Sequence, residues 1–196
     1  MNLQNAAFVR SAADKASFPA DGVPQVAFAG RSNVGKSSVL NRVLNRKKMA
    51  YVGSTPGKTV HVNYFLIDSR FYLVDLPGYG YAQVSKQERQ RWARLMEDYF
   101  ASDQLSLGVL IVDARHKPTA QDQEMAAFFA DSGKPWLVVA NKLDKLKARE
   151  VEPNLALIRQ TLSLGEDAAL IPFSALKGTG RDQLVSAILN TIDSQA

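Results

Sequence analysis

The strongest structural signal in this chain is the run Val26-Ala27-Phe28-Ala29-Gly30-Arg31-Ser32-Asn33-Val34-Gly35-Lys36-Ser37. It begins as a short apolar segment typical of a buried strand and ends by matching the pattern G-x-x-x-x-G-K-[ST]. Apolar residues at helical spacing follow it, so the order strand, loop, helix is predicted. Glycine lets the loop backbone curl around phosphate oxygens, and the helix N-terminus adds positive potential. The run therefore predicts a phosphate-binding loop on an α/β fold.

Every residue of this loop is a candidate contact for a nucleotide triphosphate. The candidates are Gly30, Arg31, Ser32, Asn33, Val34, Gly35, Lys36 and Ser37. Lys36 is expected to reach the β- and γ-phosphates and to act in catalysis, and Ser37 is expected to ligate Mg²⁺ through its hydroxyl.

Short apolar runs alternate with amphipathic helical patterns along most of the chain. The predicted strands are 26–29, 64–67, 71–75, 108–113, 135–140 and 168–173. Helical patterns are predicted around Val39 to Leu44, Trp92 to Phe100 and Val185 to Ile192, each with one apolar stripe. This alternation predicts a mostly parallel sheet with helices on both faces and ligands beyond the carboxyl ends of the strands. Trp92 is expected to belong to the core.

Length and composition favour one globular domain. The chain has 196 residues, 46% hydrophobic and 22% charged, which is close to the usual balance. Residues 1–22 are interpreted as an N-terminal extension and residues 23–196 as a single domain. The absence of cysteine excludes disulfides, thiolate metal sites and a cysteine nucleophile, and two histidines cannot build a zinc site alone. Because the sequence shows no signal peptide and no bilayer-length apolar run, the expected location is the cytoplasm.

A second motif, Asp75-Leu76-Pro77-Gly78, ends the predicted strand 71–75. A carboxylate at Asp75 can hold Mg²⁺ directly or through water, and the N–H of Gly78 can contact a γ-phosphate and sense its loss. The motif is common by itself, and its position after a buried strand is what makes it a candidate.

A third motif, Asn141-Lys142-Leu143-Asp144, follows a strand and is expected to select the base. Asp144 can accept hydrogen bonds from guanine N1–H and the exocyclic amine, a donor pair that adenine does not present. Asn141 is expected to fix the loop and the purine edge, and the stem of Lys142 to lie over the base plane. A short motif, Ser174-Ala175-Leu176, is expected to supply a backbone donor to guanine O6.

Positive charge is concentrated in residues 31–70. This stretch holds eight basic residues, Arg31, Lys36, Arg42, Arg46, Lys47, Lys48, Lys58 and Arg70, against one acid, Asp68. Such an excess raises the local concentration of polyanions, so a nucleotide triphosphate and RNA are both candidate ligands. A solvated basic face that only aids solubility is the alternative interpretation of Arg46-Lys47-Lys48.

In their order and spacing, these motifs resemble the TRAFAC-class small GTPases over residues 24–192. Their detailed forms are similar to one bacterial family, EngB, also called YsxC or YihA. The resemblance is carried by Gly30-Arg31-Ser32-Asn33-Val34-Gly35-Lys36-Ser37-Ser38, Thr55-Pro56-Gly57-Lys58-Thr59 and Asp75-Leu76-Pro77-Gly78-Tyr79-Gly80-Tyr81-Ala82. It implies a P-loop fold, binding and hydrolysis of GTP, a role in assembling the large (50S) ribosomal subunit, and a requirement in cell division and septation.

The resemblance also adds residues to the expected site. Ser38, Gly57 and Lys58 fall within motifs of the family, and Thr59 is the expected switch threonine, a catalytic residue and a ligand of Mg²⁺ in the GTP state. Thr55 remains an alternative to Thr59 because a flexible loop can present either hydroxyl.

One position departs from Ras-like GTPases. Tyr79 follows Gly78, where Ras-type enzymes have the glutamine that orients the attacking water. Intrinsic hydrolysis is therefore expected to be slow, and another element must complete the site. Asn33 resembles the asparagine that ligates a monovalent cation in some GTPases, so potassium is a candidate cofactor, and hydrogen bonding within the loop is the alternative role.

Three classes of function remain open from the sequence. They are a GTPase switch on the ribosome, a P-loop kinase or ATPase, and a nucleotide-bound RNA-binding module whose hydrolysis is incidental. The guanine-selecting motif disfavours the kinase. The expected partners are GTP or GDP and the large ribosomal subunit, with no membrane or DNA, and the chain is expected to be a monomer.

Overall fold

The structure is a computed structural model that describes residues 1–46, 60–80, 85–165 and 168–195. Its strands are β1 (Ala6–Ala12), β2 (Gln25–Gly30), β3 (Val62–Ile67), β4 (Phe71–Asp75), β5 (Leu105–Asp113), β6 (Trp136–Asn141) and β7 (Leu170–Pro172). Its α-helices are α1 (Lys36–Val43), α2 (Lys86–Phe100), α3 (Ala120–Asp131), α4 (Ala148–Thr161) and α5 (Arg181–Asp193). None of the helices in the described ranges has the length and apolarity needed to cross a bilayer.

The strands form one mixed, mostly parallel sheet in the order β1-β3-β4-β2-β5-β6-β7. Strand β3 runs antiparallel to both β1 and β4. The remaining pairs are parallel, with β2 between β4 and β5. Because β2, β4, β5 and β6 run in the same direction, their carboxyl ends meet at one edge of the sheet. The predicted fold class is confirmed.

The central strand β2 is buried on both faces, and its side chains alternate between two cores. Ala27 and Ala29 face a core that also contains buried residues of α2, α3 and α4. Val26 and Phe28 face a second core, which contains buried residues of α1 and α5. The sheet is therefore covered by helices on both faces, as a continuous apolar strand pattern indicates.

Part of the predicted N-terminal extension belongs to the sheet. Strand β1 pairs antiparallel with β3, although the five residues at its centre are exposed and only its two terminal alanines are buried. Phe18 is buried, with its ring centroid 5.8 Å from that of Tyr99. The strand was not predicted because an exposed edge strand lacks the apolar pattern of a core strand. The boundary at residue 22 stays a prediction.

Close packing between β5 and α3 gives a test of this fold. A Cβ atom at Gly108 would overlap the ring of Phe129, which is fully buried. We expect Gly108→Ala to lower the free energy of unfolding by about 2 kcal/mol, because overpacking a filled core costs roughly 1–3 kcal/mol. Gly165→Ala is the matched control, since a Cβ there has nothing within 4 Å. Equal denaturant midpoints for the two variants would contradict the packing described here.

Candidate functional site

The predicted phosphate loop lies between the end of β2 at Gly30 and the start of α1 at Lys36. Gly35 precedes the helix with φ of +92°, and a Cβ there would lie 2.5 Å from Asn141 Nδ2. Both the backbone angle and the close approach require glycine at this position. Asn33 also has positive φ, at +66°, a conformation that asparagine tolerates better than most residues. The loop thus has the tight curvature that the motif predicts.

Two charged side chains meet at the base of this loop. The Lys36 ammonium forms an ion pair with the carboxylate of Asp75, the last residue of β4. Only 13% of the Lys36 side chain and 10% of the Asp75 side chain are exposed. The structure therefore brings together the residue predicted to bind phosphate and the residue predicted to hold Mg²⁺.

The oxygen atoms near this pair suit a hard divalent cation. Ser37 lies in the first turn of α1, one residue after Lys36, and offers a hydroxyl, while Asp75 offers a carboxylate. The described residues contain no cluster of three or more His, Cys, Asp or Glu side chains that could hold a metal ion. Mg²⁺ is commonly held by one or two protein oxygens together with substrate phosphates and water, and Ser37 and Asp75 fit that mode.

The segment after Asp75 is attached to the phosphate loop through its backbone. Ser32 N–H donates to the Tyr79 carbonyl at 2.7 Å, and Arg31 pairs with Tyr79 in a parallel bridge. A movement of this segment would therefore act directly on the loop.

The side chain of Tyr79 points into the core. Its hydroxyl donates to Asp122 Oδ1 at 2.8 Å, and the residue is 5% exposed. Burial raises the pKa of Tyr79 well above its ordinary value, and the neighbouring Asp122 adds to the shift. Asp122 also accepts hydrogen bonds from Thr119 N–H and Thr119 Oγ1, both at 2.8 Å, and so closes the N-terminus of α3. The Tyr79 hydroxyl is thus held by α3, and the expectation that it does not replace the Ras-type glutamine stays a prediction.

Trp92 on α2 holds the same segment from another side. Its Nε1 donates to the Pro77 carbonyl at 3.1 Å, and its ring centroid lies 5.8 Å from that of Tyr79 in an edge-to-face arrangement. Trp92 is half-buried and packs against the core, which agrees only in part with the predicted core position. Trp92 Nε1 thus stabilises the segment that follows Asp75.

Asn141 connects the phosphate loop to the predicted base-selecting loops. The amide of this 2% exposed residue donates to the Val34 carbonyl at 2.9 Å, and its oxygen accepts from Ala175 N–H at 3.1 Å. Ala175 N–H, within the motif predicted to supply a donor to guanine, is therefore engaged by Asn141. Because both polar ends of the amide are satisfied, its orientation is fixed.

Lys142 makes a second connection between the same loops. Its ammonium donates to the Asn33 carbonyl at 2.6 Å and to Asp113 Oδ2 at 2.9 Å. Partial burial acts to raise the pKa of Asp113, but hydrogen bonds from Arg115 and Lys142 outweigh it and lower that pKa well below its usual range. Asp113 thus stays ionised and holds Lys142 over the phosphate loop.

The carboxylate of Asp144 is oriented by Ser174. Ser174 Oγ donates to Asp144 Oδ1 at 2.6 Å, and this hydrogen bond is the main cause of a lowered pKa at Asp144. Lys145 Nζ lies 3.9 Å from Asp144 Oδ2. Only 7% of the Asp144 side chain is exposed, whereas Leu176 is 70% exposed. The arrangement keeps an ionised acceptor pair at the loop that was predicted to select the base.

Two arginines that the motifs did not identify support the 174–176 loop. Arg42 on α1 donates through Nε to the Ala175 carbonyl at 2.7 Å and through Nη2 to the Leu176 carbonyl at 2.9 Å. Arg181 on α5 donates to the carbonyls of Arg42 at 2.9 Å and Val43 at 3.0 Å. The last turn of α1 is thus tied to both α5 and the 174–176 loop, which we call the base loop after its predicted role. No motif could reveal this, since Arg42 and the loop are far apart in sequence.

The structure brings most of the predicted site residues to one edge of the sheet. Contacts or chain connectivity join four segments, which are the phosphate loop 30–37 and residues 75–78, 141–144 and 174–176. Thr55, Gly57, Lys58 and Thr59 lie outside the described residues. Their predicted roles therefore stay predictions.

Comparison with known families agrees with this geometry. Residues 25–142 match a family model described as 50S ribosome-binding GTPase. The chain is 47% identical over 189 residues to a probable GTP-binding protein EngB of Pelotomaculum thermopropionicum, covering 96% of each chain. It is 45% identical over 195 residues to a probable GTP-binding protein EngB of Geobacillus kaustophilus, covering 99% of this chain and all of the relative.

Solved structures give the same fold. A crystal structure of a probable GTP-binding protein EngB superposes with a TM-score of 0.68 at 24% identity, covering 87% of this chain and 99% of the other. Era in complex with MgGDPNP and nucleotides 1506–1542 of 16S ribosomal RNA superposes with a TM-score of 0.60 at 28% identity, covering 86% of this chain and 56% of Era. The nucleotide-site geometry, the family model and the near-full-length relatives together show that this chain belongs to the EngB family of GTP-hydrolysing P-loop GTPases.

Proposed function

We propose that this protein is a GTP-driven switch in the assembly of the large ribosomal subunit. The observation that supports it most is the Asp144 carboxylate, oriented by Ser174 and tied through Asn141 to the phosphate loop. This arrangement suits a guanine nucleotide, and the matching family model is described as ribosome-binding. We also propose a cytoplasmic location and, from the resemblance to the family, a requirement in cell division and septation.

The phosphates of GTP would lie over the loop 30–37. Backbone N–H groups there and the N-terminus of α1 would hold them, with Lys36 supplying a positive charge to the β- and γ-phosphates. Lys36 would then leave its ion pair with Asp75. That exchange frees the Asp75 carboxylate for the metal ion. Nucleotide binding and metal binding would therefore be linked through Lys36.

Mg²⁺, when bound, would neutralise charge that develops on the β- and γ-phosphate oxygens. Ser37 and Asp75 are the described residues that we assign to hold it, and Thr59 is the third proposed ligand. Era, a solved relative in fold, was crystallised with MgGDPNP.

Guanine would be selected by Asp144, with Lys142 over the base plane and a backbone N–H of the 174–176 loop donating to O6. The N–H groups of Ser174 and Ala175 already donate to the Thr179 carbonyl and to Asn141, so Leu176 N–H is our candidate donor. Adenine would leave a largely buried carboxylate without its ligand donors, and a site whose buried polar group loses its partner rejects the wrong ligand strongly. The lowered pKa of Asp144 keeps the acceptor charged at neutral pH.

Hydrolysis would rely on few groups of the chain itself. Lys36 and the Gly78 N–H would act on the γ-phosphate together with Thr59, while the Tyr79 hydroxyl is engaged by Asp122. Slow intrinsic turnover is therefore proposed, with Asn33 holding a potassium ion as the candidate for the missing positive charge.

A nucleotide-bound RNA-binding module with incidental hydrolysis is the second candidate, and one experiment separates it from the switch. Affinity for isolated 50S subunits is measured with GDPNP and with GDP bound to the full chain. A switch requires a preference of at least tenfold for one state, because population shifts arise only from differential affinity. Equal affinity in both states would favour the module.

Base selection by Asp144 gives a direct test. Asp144→Asn should lower GTP affinity about a hundredfold or more and raise affinity for XTP, because the xanthine C2 oxygen can accept from the new amide. The measurement is calorimetry with GTP, XTP and ATP on the wild type and the variant. Comparable binding of ATP and GTP by the wild type would overturn the guanine assignment.

Support of the base loop by Arg42 gives a second test. Arg42→Met keeps the side-chain stem but removes two hydrogen bonds to carbonyls, so GDP affinity should fall about tenfold, or roughly 1.4 kcal/mol. Arg159→Met is the matched control, since Arg159 donates to the carbonyls of Gly165 and Ala168 in another loop. An equal loss of affinity in both variants would show that only general stability is involved.

The potassium proposal is tested by turnover in matched potassium and sodium chloride. Potassium should accelerate hydrolysis in the wild type and lose its advantage in Asn33→Ala, since a cation near the phosphates would offset developing charge. A potassium effect that survives the substitution would leave Asn33 with a structural role, as would equal rates in both salts.

A further inference from the structure

Some cations in the predicted basic stretch are used within the protein. Arg42 holds two carbonyls of the base loop, and Arg70 pairs with Asp193 at 3.0 Å. Lys36 pairs with Asp75. Three more cations of the stretch lie outside the described residues, namely Lys47, Lys48 and Lys58, so their predicted part in RNA binding stays a prediction. The described residues offer another group of cations for RNA phosphates.

The first half of α2 offers such a group, which we call the α2 basic face. It consists of Lys86, Arg89, Arg91 and Arg94, all exposed to solvent. Of the three acids of the helix, Glu97 and Asp98 lie in its second half and Glu88 lies in its first. The part of α2 from Lys86 to Arg94 therefore carries four cations against one acid.

Within the described parts of the chain, no carboxylate forms a close ion pair with this face, although Glu88 attracts Arg91 electrostatically. None of the ion pairs found there involves its four cations. Glu88 is the one acid that lies between these cations in the sequence. It accepts a hydrogen bond from Ser85 N–H at 2.9 Å and thereby closes the capping box of α2. The helix is thus held in shape by its cap, while the cations remain directed to solvent.

The chemistry of the face favours a phosphodiester backbone over a lipid surface. A helix that binds a membrane interface needs an exposed apolar side, whereas Leu95, Met96 and Tyr99 of α2 are buried in the core. Three of the four cations are arginines, whose planar guanidinium groups bind phosphate oxygens through paired hydrogen bonds. Exposed Gln87 and Gln90 add neutral donors on the same helix.

The α2 basic face is physically connected to residues 77–80, the segment after Asp75 that is proposed to sense the γ-phosphate. On the same helix, Trp92 donates to the Pro77 carbonyl and packs edge-to-face against Tyr79. Tyr79 in turn accepts from Ser32 N–H in the phosphate loop. A displacement of the segment on loss of the γ-phosphate would therefore be transmitted to α2 through one hydrogen bond and one ring contact.

We propose that the α2 basic face binds the phosphate backbone of ribosomal RNA and that Trp92 couples this contact to the nucleotide state. The inference rests on the proposed function, and it names the α2 basic face as the surface that docks on the 50S subunit. Each RNA phosphate neutralised by a basic side chain contributes about 0.7–0.9 to the salt dependence of binding. Four such contacts thus predict that the slope of log affinity against log salt is steeper by about three in the wild type than in a variant without these four cations.

The test uses isolated 50S subunits and the full chain with GDPNP bound. Lys86, Arg89, Arg91 and Arg94 are all changed to Gln in one variant. The matched control changes four exposed cations elsewhere, Lys15, Lys117, Lys147 and Arg149, also to Gln. Over about a fourfold rise in salt, the wild type should lose roughly 60-fold more affinity than the α2 variant, whereas the control should follow the wild type. GTP binding and intrinsic turnover should be unchanged in both variants.

The outcomes separate the two proposals. Absence of 50S binding by the wild type would overturn the proposed function and this inference with it. Wild-type binding that the α2 variant matches in affinity and salt slope would overturn the inference alone. Binding to anionic phosphatidylglycerol vesicles that is lost in the α2 variant, with 50S binding retained, would assign the face to a membrane.

The coupling is tested by Trp92→Phe, which keeps an aromatic ring and removes the Nε1 donor to Pro77. Affinity for 50S subunits with GDPNP should be retained, while the ratio between the GDPNP and GDP affinities should shrink at least threefold. An unchanged ratio would show that Trp92 plays no part in the coupling.

Discussion

The buried amide of Asn141 is the interaction on which the rest of the site depends. Asn141 lies at the end of β6. Its amide donates a hydrogen bond to the Val34 carbonyl of the phosphate loop and accepts one from Ala175 N–H of the base loop. Each of these loops follows a different strand, and the contacts that Lys142 makes with the phosphate loop and Arg42 with the base loop add to the buried connection that Asn141 makes. Leaving either group unpaired in the interior would cost about 1–3 kcal/mol, so the two loops hold each other in place.

A second set of contacts joins the phosphate loop to the helices beyond it. Tyr79 is bonded through its backbone to Ser32 and through its hydroxyl to Asp122, while Trp92 holds the preceding carbonyl of Pro77. The side of the site proposed to bind the base is thus fixed by a buried amide, and the side proposed to bind the γ-phosphate is held by contacts that reach α2 and α3. This asymmetry suits a switch, which must retain its nucleotide while one segment responds to the phosphate.

Local patterns were sufficient to predict the parts of the site whose geometry is local. Gly35 needs positive φ, and Asp75 and Asn141 end apolar runs, so their sequence neighbours reveal their positions. The supporting contacts join distant parts of the chain, as Arg42 does with Ala175 and Tyr79 with Asp122. No pattern along the sequence encodes such pairs. Strand β1 was missed for another reason, because its exposed edge carries no apolar alternation.

The claim that Asn141 assembles the site before nucleotide arrives is tested most directly by amide hydrogen exchange at single residues. The nucleotide-free wild type is compared with Asn141→Leu, which keeps a similar side-chain volume and removes both hydrogen bonds. The Ala175 amide should be protected in the wild type and exchange at least tenfold faster in the variant, while Val109 and Val139 in the central strands keep their protection. Equal exchange at Ala175 in the two proteins would contradict that claim.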